Sequence, residues 1–86
     1  MNINVGNMSF STNDEELLDL FSAFGTVTSA KVVTNSDNRS RGFGFVEMAD
    51  ESEGTAAIRS LNGAEFAGRK LRVNEIKASE MPSSIR

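Results

Sequence analysis

Apolar positions along the chain follow two periods. Ile3 and Val5 flank Asn4, the two-residue repeat of a half-buried strand. Thr12-x-x-Glu15 has the form of a capping box. Leu17, Leu20, Phe21 and Phe24 then recur at helical spacing up to Gly25, which predicts a helix over 13–24. "TVTSAKVVT" at 26–34 is rich in β-branched residues and reads as a second strand. The polar turn "NSDNRS" joins it to "GFGFVEM", a third strand running antiparallel to the second. Asp50-x-x-Glu53 opens a second helix with Ala57, Ile58 and Leu61 as its apolar stripe. Gly54 falls on that stripe; glycine costs about 1 kcal/mol there relative to alanine, so close packing against a sheet is its expected reason. "NG" at 62–63 ends the helix, "AEF" suggests a short extra hairpin, and "RKLRVNE" at 69–75 is the fourth strand.

The order β-α-β-β-α-β is the split βαβ pattern. It predicts an α+β, ferredoxin-like fold: a four-stranded antiparallel sheet with both helices on one face. Strand parity then sorts the side chains. Ile3, Val5, Val32, Val46, Met48, Leu71 and Val73 face the helices. Asn4, Lys31, Val33, Phe43, Phe45, Glu47, Arg72 and Asn74 face away from them.

That sorting raises a question about "RSRGFGFVEM", residues 39–48. Phe43 and Phe45 share the uncovered face, behind Arg39 and Arg41. Glycine weakens strands, and two neighbouring exposed rings on a small domain mark a binding surface. Flat rings stack on nucleic-acid bases at about 1–3 kcal/mol per base, and free base faces mean a single strand. Gly42 then permits an unusual backbone where the loop meets the strand. Gly44 faces inward, where a side chain would push a helix away. Core burial of the two rings is the competing reading; parity disfavours it, because Val46 and Met48 already fill the inner face. Cover by a tail through Ile76, Met81 or Ile85 is another.

Composition excludes more than it asserts. The chain has 86 residues, no Cys and no His, with a net charge of −3. One domain suits that length, spanning 1–77, with 78–86 as a flexible tail. Without Cys and His there is no thiolate metal site, no Cys nucleophile and no His base, and no cofactor is expected. The open face carries no nucleophile–base pair, so the chain is expected not to be an enzyme. "GNMSFST" and "RGFGF" lack the order of a phosphate-cradling loop. No apolar run is long enough to span a membrane and the N-terminus has no secretion pattern, so the cytoplasm is the expected location. The negative total argues against coating nucleic acid by bulk charge, but leaves room for a local basic surface. "DEELLD" and "DESE" read as solvated first turns that suit the helix dipole.

At these residues the sequence resembles the RNA recognition motif family, and within it the small single-domain bacterial RNA-binding members. "RGFGFVEM" at 41–48 fits the family's octamer at seven of eight places, with Met48 in place of the last aromatic. "INVGNM" at 3–8 resembles the companion hexamer, about 38 residues upstream. "LNGAEFAGRKLRVNEIK" at 61–77 resembles the family's end. The resemblance implies stacking on Phe43 and Phe45, a phosphate or base-edge contact from Arg41, and sheet-face contacts from Lys31, Arg72 and Asn74. It extends the site to Lys77 at the end of the fourth strand, and Arg39 belongs with it as a turn cation. Asn4 stands where family hexamers usually carry an aromatic; it can hydrogen-bond a base edge but cannot stack comparably. The implied partner is single-stranded RNA, with single-stranded DNA as a second nucleic acid for the same face. A protein partner on that face is the alternative, and a monomer or weak dimer is the expected state.

Overall fold

In the computed structural model, residues 1–34 and 40–77 are described. The elements are β1 (Asn2–Gly6), α1 (Asp14–Ser22), β2 (Val27–Thr34), β3 (Ser40–Met48), α2 (Glu51–Leu61), β4 (Glu65–Phe66), β5 (Arg69–Lys70) and β6 (Arg72–Ile76). Four strands form one antiparallel sheet in the order β2-β3-β1-β6, and β4 with β5 forms a separate hairpin. This is the expected α+β architecture.

Register explains the core. Ile3 pairs with Val46, Val5 with Val73 and Val27 with Met48, so alternate residues of all four strands point to one side. Leu17 and Phe21 of α1, with Ala57 and Leu61 of α2, close over them in a single buried cluster. All seven residues assigned inward by parity are buried. Phe24 and Ile58 pack against the cluster partly buried.

The helix starts come from side-chain caps. Asp50 caps α2 as the spacing predicts, accepting the Glu53 amide N–H at 3.0 Å. At α1 the expected box is displaced by one residue. Asn13, not Thr12, is the cap: it accepts the Glu16 amide N–H at 2.8 Å, and the Glu16 carboxylate accepts the Asn13 amide N–H at 3.1 Å. Thr12 is buried instead, and α1 ends at Ser22 rather than Phe24. Two adjacent cap-forming residues followed by two Glu allow either box, and burial of Thr12 selects the second.

The expected strand 69–75 is also divided. Leu71 sends its backbone to the segment after α2, donating to Ala64 O at 2.9 Å and accepting from Gly63 N–H at 2.8 Å. Arg69 and Lys70 therefore belong to the hairpin with Glu65 and Phe66, and pairing with β1 begins only at Arg72. Ala67 (φ 53) and Gly68 (φ 82) form its two-residue turn, with positive φ at both positions as in a type I′ turn. Gly54 is buried on the α2 stripe as expected, but a Cβ there would meet the Met1 side chain rather than a sheet strand.

Candidate nucleic-acid interface

Both helices pack on the inner side, so the outer side of the sheet has no helix over it. Register draws one row across that face. Lys31 of β2 pairs with Phe45 of β3, Phe45 with Asn4 of β1, and Asn4 with Asn74 of β6. Four of the expected site residues thus stand side by side, one from each strand. Phe43 sits two residues along β3, on the same face, with its ring centroid 6.2 Å from that of Phe45. The two rings meet edge to face at 88°. Each is half-buried, less open than the parity reading implied.

The glycines between them have distinct causes. Gly42 has φ +83, the left-handed region that L side chains seldom adopt. It lies within β3 rather than where a loop meets the strand, and its carbonyl accepts the Met8 amide N–H at 2.8 Å. A Cβ on Gly44 would lie 2.7 Å from the Lys31 carbonyl oxygen and 3.1 Å from Leu17 of α1. The nearer obstacle is the backbone of β2, which cannot rotate away. Gly44 therefore lets two strands and a helix close together beneath the rings.

Charge divides between the faces. Lys31, Arg72 and Lys77 are exposed on or beside the sheet, while Glu15, Glu16, Asp19 and Glu51 are exposed on the helices. Arg72 pairs with Gly6, whose missing side chain keeps that part of the face open. Glu47 also lies on the outer side, but it accepts a hydrogen bond from the Thr28 hydroxyl at 2.9 Å. Lys31 reaches round the sheet edge to Asp14 at 3.2 Å. The other Asp14 oxygen accepts the Val32 amide N–H at 2.7 Å, so this acid ties α1 to an edge strand rather than simply solvating a first turn. Glu53 does likewise, accepting the Thr26 amide N–H at 3.2 Å. Arg41 lies in β3, where its backbone alone is described; Arg39 and the 78–86 tail lie outside the described residues.

The RNA recognition motif model matches residues 3–72. The chain belongs to the RNA recognition motif family. "Putative RNA-binding protein RbpB" of Nostoc sp. is 46% identical over 81 residues, 93% of this chain and 79% of that one. "Glycine-rich RNA-binding protein 2, mitochondrial" of Arabidopsis thaliana is 46% identical over 83 residues, and this chain spans 51% of its length. Among solved structures, the crystal structure of RNA-binding protein PG1 superposes with a TM-score of 0.87 at 50% identity, covering 96% of this chain and 99% of that one. The Rna15 RNA recognition motif with bound RNA superposes at 0.85 with 27% identity, covering 96% and 89%. RNA binding is thus the property named for the chain's relatives.

Measured against the family pattern, Met48 is fully buried, so its departure from an aromatic is a matter of core filling. Asn4 is the departure that reaches the open face. No group of His, Cys, Asp and Glu among the described residues is arranged to hold a metal, and no described helix is long and apolar enough to cross a membrane.

The sequence reading missed Phe10. It is the most exposed large apolar residue described, at 66%. Its ring lies under the Arg69 guanidinium, with 5.9 Å from the guanidinium carbon to the ring centroid. The available signal was weak: Phe10 follows buried Met8 by two residues, and strand parity alone groups the two together.

Proposed function

We propose that this protein binds single-stranded RNA on the open face of its sheet, without catalysis and without a cofactor. Bases stack on Phe43 and Phe45. Asn4 and Asn74 offer hydrogen bonds to base edges, and Lys31, Arg41, Arg72, Lys77 and Arg39 meet phosphates. Residues 1–77 act as the binding domain, with 78–86 as a tail, and the cytoplasm is its place of action. Single-stranded DNA fits the same chemistry less one set of 2′-hydroxyl contacts.

The observation that carries the reading is the row Lys31–Phe45–Asn4–Asn74 beside Phe43, on a face no helix covers. A buried core has no use for a cation and two amides aligned with two rings. The perpendicular rings add a constraint. Two bases cannot lie flat on both rings and stay parallel, so one ring takes a base face and the other meets its neighbour's edge, or one ring turns on binding. Two or three nucleotides is the footprint for such a face.

The test is the Phe43→Ala, Phe45→Ala double variant. Its melting should stay cooperative, and its affinity for a short single-stranded RNA should fall by about 1–6 kcal/mol, from one stacking contact or two. A folded variant with unchanged affinity would remove stacking from the account. A variant that unfolds would show the rings to be structural.

A further inference from the structure

The end of the domain beyond β1 carries a second aromatic platform, built from two loops. Phe10 comes from the β1–α1 connection and Arg69 from the β4–β5 hairpin. Their pairing is held from both sides. The Arg69 guanidinium donates to Asn7 Oδ1 at 2.8 Å, and the Asn7 amide nitrogen donates to the Lys70 carbonyl at 2.6 Å. Asn7 adopts φ 58, a conformation that asparagine tolerates better than most residues. The Phe10 ring lies over Gly42, where a Cβ would sit 3.1 Å from its Cε1.

An apolar ring left this open needs a reason. It is not core, and α1 does not cover it. Cation–π pairing with Arg69 at 5.9 Å is near the outer limit of that interaction, so the contact positions the guanidinium more than it conceals the ring. Gly42 links Phe10 to the sheet: the residue against the Phe10 ring is the immediate neighbour of Phe43. Arg69, over the Phe10 ring, and its neighbour Lys70 are both exposed and cationic.

We propose that Phe10 and Arg69 form an extra nucleotide subsite for single-stranded RNA, past the two or three nucleotides held on the sheet. This rests on the sheet-face reading above. The base stacks on Phe10, and Arg69 meets its phosphate or covers its other face. The subsite supplies a stacking surface at the end of the sheet, where Asn4 leaves one missing within it.

The experiment compares randomised-sequence RNA trimers and octamers, binding to the parent chain and to Phe10→Ala, Phe10→Leu, Phe10→Tyr and Phe43→Ala. Trimers are too short to occupy both places. Phe10→Ala should weaken octamers by roughly 5- to 150-fold, the range for one stacked base, and leave trimers unchanged. Phe43→Ala should weaken both. Phe10→Tyr should keep octamer affinity. Phe10→Leu, which retains an apolar contact with Gly42 but no flat face, should lose it, a comparison that holds even if the alanine variant folds poorly. Equal loss for trimers and octamers in Phe10→Ala would make the ring a support for β3 and overturn the subsite. Full octamer affinity in Phe10→Leu or Phe10→Ala, with Phe43→Ala weakened, would overturn the subsite and leave the sheet reading standing. No loss in any variant would overturn both.

Discussion

Gly44 and Asn4 show how one side chain decides what this face can do. At Gly44 a methyl group would press on the Lys31 carbonyl, so Gly44→Ala forces β2 and β3 apart. Overpacking of this kind costs about 1–3 kcal/mol, which chemical denaturation would register as a lower midpoint. The role was legible in part: parity put Gly44 inward and foresaw a helix above it, but the backbone of the neighbouring strand is the closer contact, and it depends on register. At Asn4 the reverse holds, since the face has room. Asn4 stands between Phe45 and Asn74, so Asn4→Tyr adds a third ring to the face. Short RNAs should then bind roughly 5-fold tighter or more, from a stacking gain of at least about 1 kcal/mol. Weaker binding would mean that the Asn4 amide makes a base contact a ring cannot replace. Lys31 could be assigned to the face from the sequence, but not its ion pair with Asp14, because nothing local says that α1 begins beside that edge of the sheet.

Every main-sheet strand and both helices could be read from periodicity, and the errors lie at their ends. Thr12, Asn13, Glu15 and Glu16 permit two capping boxes, and only packing chooses between them. The choice is measurable. Asn13→Ala should destabilise the fold by about 1 kcal/mol, while Glu15→Ala should change stability by less than about 0.5 kcal/mol. Equal effects would restore the Thr12 box. The split of 69–75 was illegible because Leu71 bonds to residues after α2 rather than continuing into β1. The hairpin it creates is under strain at Ala67, an alanine at φ 53. Ala67→Asn gives the Asn-Gly pair that type I′ turns favour, and thermal melting should show a gain of about 1 kcal/mol. At the start of α2, bonds from Ser52 and then from the Glu53 amide hold the Asp50 carboxyl below its ordinary value of 3.8. A depressed folded value contributes stability above the ordinary value. That contribution fades as pH falls from about 3.8 through the lower folded value. Asp50→Asn should flatten this part of the acid-unfolding curve.

The whole molecule is acidic, yet among the described residues the exposed acids sit largely on the helices and most of the exposed cations on the sheet side or at its end. Net charge therefore says little about the affinity of the sheet. If two to four of Lys31, Arg41, Arg72, Lys77 and Arg39 meet phosphates, log K against log salt should have a slope of roughly −1.4 to −2.8, at about −0.7 per contact on a single strand. A slope near zero removes the phosphate contacts, and one steeper than about −5 means a larger basic surface. Helix acids such as Glu15 and Glu51 lie on the other side and are screened beyond about 8–10 Å at physiological salt, whereas Asp14 pairs directly with Lys31. The most direct test of the account is a backbone NMR titration of the full chain with a short single-stranded RNA. The account predicts that the largest shifts fall at Asn4, Phe43, Phe45 and Asn74, with Glu15, Asp19 and Glu51 nearly still. Shifts concentrated on α1 and α2, with β1 and β3 unmoved, would contradict it.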